Sequence, residues 1–138
     1  MPSRLLRGLL IANVVVLVCF APLAALALIT PAGLAFELLS PGGSWSGRQA
    51  FLWALSSVGS VVYVVGWAAV VGLWRGRTWA PPVYRAAVLG YLLVVPLLFV
   101  TVWVDASLAP YVVFALPAAL FVWTAVVEAR EMRERART

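Results

Sequence analysis

The chain has 138 residues, of which 64% are hydrophobic and only 11% charged, and its mean hydropathy is +1.03. A soluble domain is about half apolar and about a quarter charged, and one this short leaves too large a share of its surface exposed to hide such a composition. Composition therefore excludes an ordinary soluble domain, a disordered chain and a disulfide scaffold, and it points to a membrane protein.

The first apolar run is Gly8 to Thr30, 23 residues without a charge. About 20 such residues cross a hydrocarbon core roughly 30 Å thick. Pro31 is expected to stop it, and Pro22 to kink it. Arg4 and Arg7, the apolar stretch and Ala25-Leu26-Ala27 imitate a signal peptide, whose removal would leave three spans. The run is long for such a peptide and bulky Val18 precedes Cys19, so retention as a span is expected. Asn13 lies within it. A carboxamide in hydrocarbon needs a partner, so Asn13 is expected to face another helix and hydrogen-bond across the contact.

Between spans one and two, Leu34 to Leu39 suits a short interfacial helix. It is followed by a flexible loop, Pro41-Gly-Gly-Ser-Trp-Ser-Gly47. Gly43-Ser-Trp-Ser-Gly47 resembles a serine-hydrolase elbow only superficially. Trp45 stands where the nucleophile belongs, and the chain has no histidine to act as base.

The second run, Ala50 to Trp74, has 25 uncharged residues. Ser56, Ser60, Tyr63, Trp67, Val70 and Trp74 fall within about 40° of one line at roughly 100° per residue. Gly59 and Gly66 border that stripe. Small residues let helices approach closely, so the stripe is expected to be a packing face. A polar lining for a ligand or solute, or a seam between copies, are its sharper readings. Ser56, Ser60 and Tyr63, with Asn13, are the candidate intramembrane binding residues.

The loop Arg75 to Arg85 carries three arginines beside Trp79 and Tyr84. Arg75, Arg77 and Arg85 are candidate contacts for anionic lipid headgroups, beside the plainer role of setting orientation. The third run is Ala86 to Val104 with Pro96 inside. The fourth is Ala106 to Val127 with Pro117 inside. A short turn at Asp105 and Ser107 is expected to fold these two as a tight helical hairpin. Asp105 is expected to cap or turn there rather than bind a cation. The tail from Glu128 to Thr138 alternates sign, with Glu131 four residues before Arg135 and Arg130 four before Glu134. It is expected to continue span four as a solvated helix.

Nine of the ten arginines lie before span one, between spans two and three, or after span four, and only Arg48 lies on the other side. That bias places both termini in the cytoplasm, and the all-arginine basic set, with abundant Ala, Val, Leu and Gly, suggests GC-rich coding, so a bacterial plasma membrane is the expected location. Trp45, Phe51, Trp53, Trp103 and Tyr111 then mark the outer interface, and Trp74, Trp79, Tyr84 and Trp123 the inner one. The expected fold is all-α: a single four-helix transmembrane bundle, N-in and C-in, with short loops. The runs do not alternate, which excludes a β-barrel, and no internal repeat of the transporter kind is present.

The inventory restricts chemistry. Lack of histidine removes the usual haem and zinc ligand and the commonest general base. Lack of lysine removes Schiff-base chemistry. A single cysteine closes no internal disulfide. No carboxylate lies in the middle of a span, which weakens a proton-coupled transporter. No catalytic residue, metal or cofactor is expected. The leading expectation is a non-catalytic accessory or structural subunit, or a homo-oligomer. The alternative is a small channel or transporter with its path at an oligomer interface, and a lipid-modifying enzyme ranks last. The expected partners are the bilayer, anionic lipids and a protein partner or second copy, and nucleic acid is excluded.

Overall fold

The computed structural model describes residues 2–44, 46–102 and 109–138. The turn at Asp105 and Ser107, with Trp45 and Trp103, lies outside the described residues. The described chain is helical, and no strand occurs within it. Its elements are α1 (Arg4–Cys19), α2 (Ala21–Leu39), α3 (Gly47–Trp74), α4 (Ala80–Val102) and α5 (Ala109–Arg137). Four of them, α2, α3, α4 and α5, are long and apolar enough to cross a membrane. Hydrocarbon offers backbone groups no partner, so the helix, which bonds its own, is the form such runs take.

The first apolar run departs from expectation. It divides at Phe20, and the helix then passes through Pro31 to Leu39. The cause lies at Pro22, the second residue of α2, whose ring nitrogen cannot donate to the carbonyl of Val18. Pro31 removes one bond but leaves the apolar helix intact around it, so Leu34 to Leu39 forms the last part of α2 rather than a separate interfacial helix. Together α1 and α2 would measure about 54 Å at 1.5 Å per residue, more than one crossing needs. They are unequally packed. Only 6% of the most apolar stretch of α2 is buried, against 28% in each of the other three candidate spans.

The remaining ends follow local chemistry. Ser3 caps α1 by accepting from the Leu6 N–H at 3.1 Å. Ser46 and Gln49 form a reciprocal capping box at the start of α3, satisfying N–H groups that a helix start leaves unpaired. Thus Ser46, the second serine of the Gly-Ser-Trp-Ser-Gly segment, has a structural use. At the end of α3, Gly76 adopts φ +65°. The Gly76 N–H reaches the Leu73 carbonyl at 3.1 Å, and the Arg77 N–H reaches the Gly72 carbonyl at 2.9 Å. This paired closure requires the left-handed conformation that glycine adopts without penalty. Helix α4 begins at Ala80, six residues before the expected span, because Pro81 and Pro82 suit a first helical turn.

Helix α1 runs antiparallel to α5 and also contacts α3. Asn13 meets Thr124, Ser3 meets Glu131 and Tyr63 meets Leu17. The core joins Leu6, Leu9, Leu10 and Leu17 of α1 to Val70 and Leu73 of α3, Tyr84 and Val88 of α4, and Phe121 and Val127 of α5. Close approach is set at glycines other than the two expected. A Cβ on Gly72 would lie 2.8 Å from the Ala80 Cβ, and one on Gly90 would lie 2.7 Å from a Val62 methyl. Gly59 meets only Val94 at an ordinary 3.4 Å, and nothing lies within 4 Å of a Cβ on Gly66. The α3–α4 contact is therefore tightest next to its connecting loop and at Gly90.

Candidate functional site

The most polar part of the interior is a node where α1, α4 and α5 meet. Asn13 of α1 is 0% exposed, Thr124 of α5 is 0% and Tyr84 of α4 is 3%. The Asn13 Nδ2 donates to the Leu9 carbonyl at 2.7 Å and to the Thr124 Oγ1 at 2.9 Å. Its Oδ1 accepts from the Tyr84 hydroxyl at 2.6 Å. Thr124 donates in turn to the Leu120 carbonyl at 2.8 Å. A carboxamide brought into an apolar interior is costly unless paired, and here both of its ends are used. The expected partner for Asn13 is therefore two partners, on two different helices.

One turn beyond Thr124 on α5, Glu128 is buried and its Oε2 accepts from the Arg85 guanidinium at 2.7 Å. The arginine stays half-exposed while the carboxylate is 3% exposed. The other oxygen, Oε1, is buried without a hydrogen-bond partner among the described residues. Beyond it, the backbone N–H and hydroxyl of Ser3 donate to the Glu131 carboxylate, which also pairs with Arg135 at 3.6 Å. The polar contacts thus climb α5 in steps of three or four residues, through Thr124, Glu128 and Glu131, on the face turned to α1 and α4.

The stripe on α3 is a packing face over most of its length. Ser56 and Ser60 are buried, and each donates to a carbonyl one turn back in its own helix, Leu52 at 2.7 Å and Ser56 at 2.8 Å. Tyr63 reaches across to the Leu17 carbonyl at 2.8 Å. That carbonyl lies in the last turn of α1, where a helix leaves its acceptors without internal donors. Trp74, at the far end of the stripe, is exposed. Asn13 and Tyr63 both engage α1, but Ser56, Ser60, Tyr63 and Asn13 do not converge on one cavity.

Arg75 and Arg77 are exposed in the loop between α3 and α4, whereas Arg85 is held by Glu128. Tyr84, expected beside these arginines near the inner interface, turns into the bundle. Its ring is buried and its hydroxyl serves the node. Sequence reasoning missed Tyr84, Tyr91 and Thr124. Tyr91 donates to the Phe114 carbonyl at 3.1 Å, and its ring meets Phe121 edge-on with centroids 5.1 Å apart. A signal was available, because Thr124 and Glu128 are four residues apart and so share a helix face. No group of His, Cys, Asp and Glu suited to a metal occurs among the described residues.

No protein-family model, curated protein or solved structure matches this chain.

Proposed function

We propose that the chain is an integral membrane protein whose bundle spans the bilayer with both termini on the arginine-rich, cytoplasmic side, and that it serves as a non-catalytic structural or accessory component. The observation that carries this reading is the use made of its polar side chains. Asn13, Tyr84, Thr124, Tyr63 and Tyr91 hold helices to one another, and Ser56 and Ser60 bond to their own helix. Such bonds contribute about 0.6–2 kcal/mol each inside a membrane. A chain whose interior polarity is spent on cohesion presents its outer surfaces to partners. The sparsely buried, apolar α2 is the surface that favours attachment to a second membrane protein or a second copy.

Affinity purification of the tagged chain in mild detergent, read by mass spectrometry and size, tests this. A stoichiometric protein partner or a defined homo-oligomer is the expected result. A lone monomer, or solute flux carried by the purified chain in liposomes, would count against it.

A further inference from the structure

The tail of α5 carries a basic stripe that continues the helix's outward face. At about 100° per residue, Arg130, Arg133 and Arg137 fall within roughly 60° of one another. All three are exposed. The same sector of α5, within the membrane, carries Val112, Leu116, Trp123 and Val126, each between 43% and 69% exposed. The opposite sector carries Phe121, Thr124, Glu128 and Glu131, which face the bundle, with Arg135 above them. One line along the helix thus changes from aliphatic to tryptophan to arginine. Glu134, at the edge of the stripe, is the acidic residue on that side.

We propose that Arg130, Arg133 and Arg137 form a docking surface for the headgroups of anionic phospholipids in the adjoining leaflet. The proposal rests on α5 crossing the bilayer. Arg130 and Arg133 lie about 3 and about 7.5 Å past Glu128 along the helix, within a headgroup layer roughly 5–8 Å deep. Arg137 lies farther out. Side chains on a helix lean toward its N-terminus, and the N-terminus of α5 points into the membrane. The three guanidinium groups therefore lean back toward the phosphates, with their methylene stems along the apolar face. Charge complementarity favours anionic over zwitterionic lipid, since each arginine near such a surface strengthens binding about fivefold. Continuity of the stripe with the lipid-facing line favours lipid over an acidic protein segment. Arg135, on the other side, is turned to Glu131.

The test uses the full chain in nanodiscs of phosphatidylcholine and phosphatidylglycerol, with the lipid retained after release counted by native mass spectrometry. The wild type is expected to retain phosphatidylglycerol preferentially. An Arg130→Gln/Arg133→Gln/Arg137→Gln variant is expected to lose at least about tenfold of that preference, and Arg135→Gln less than about twofold. An unchanged preference in the triple variant overturns the proposal, as does an equal loss in Arg135→Gln. Binding of an acidic peptide to the stripe without any lipid preference also overturns it. Failure of the chain to enter the discs would overturn the membrane-spanning reading and this proposal with it. Entry without a phosphatidylglycerol preference overturns the proposal alone.

Discussion

Asn13 is a polar residue whose placement depends on two helices at once. Its amide donates to Thr124 and its carbonyl accepts from Tyr84, so removing it takes away the 2.6 Å bond of the Tyr84 hydroxyl. Asn13→Ala is expected to lower stability by about 1–2 kcal/mol, read as a fall in melting temperature in detergent. Combined with Thr124→Val, the two losses should fall short of additive by about 0.6 kcal/mol or more. Strict additivity would show that the two residues do not act together. The need of Asn13 for an interhelical partner was legible in the sequence, because a lone carboxamide in an apolar run has few alternatives. The identity of the partner was not. Thr124 and Tyr84 are 111 and 71 residues away, and nothing local in the chain records which helix faces will meet.

Among the elements, α3 shows how two glycines of one helix serve different ends. Gly72 sits against Ala80 and Trp79, while a Cβ on Gly66 meets open space. Gly72→Val is expected to cost about 1–3 kcal/mol through overpacking. Gly66→Ala is expected to gain about 0.5–1 kcal/mol, because alanine orders a helix at lower entropic cost. Chemical unfolding in mixed micelles would show the opposite signs, and a loss of stability in both would refute this account of the contact. Helix existence and the C-terminal ends of α3 and α5 were readable from apolar run length and charge. The break at Phe20 was foreshadowed by Pro22, but passage through Pro31 was not. A proline's effect depends on whether the surrounding helix retains enough bonds to continue.

At the scale of the whole molecule, the ends of the chain converge. Ser3 binds Glu131, and Arg85 binds Glu128 beside the loop that carries Arg75 and Arg77. These contacts bring the start of α1, the α3–α4 loop side and the tail of α5 to one end of the described bundle. In a Cys19→Ser background, cysteines placed at Pro2 and Thr138 should react with a membrane-impermeant reagent from the same side. A cysteine at Ser44 should react from the opposite side. Labelling of Pro2→Cys and Thr138→Cys from different sides would break this topology.

The node also orders events in time. Asn13 is made well before Thr124, whereas α3 and α4 are joined by a short loop and can pair as soon as both have been made. The Asn13 carboxamide can therefore meet Tyr84 once α4 has been made, but it gains Thr124 only when α5 arrives. A chain that stalls before α5 leaves the Asn13 amide without its Thr124 partner and the node incomplete.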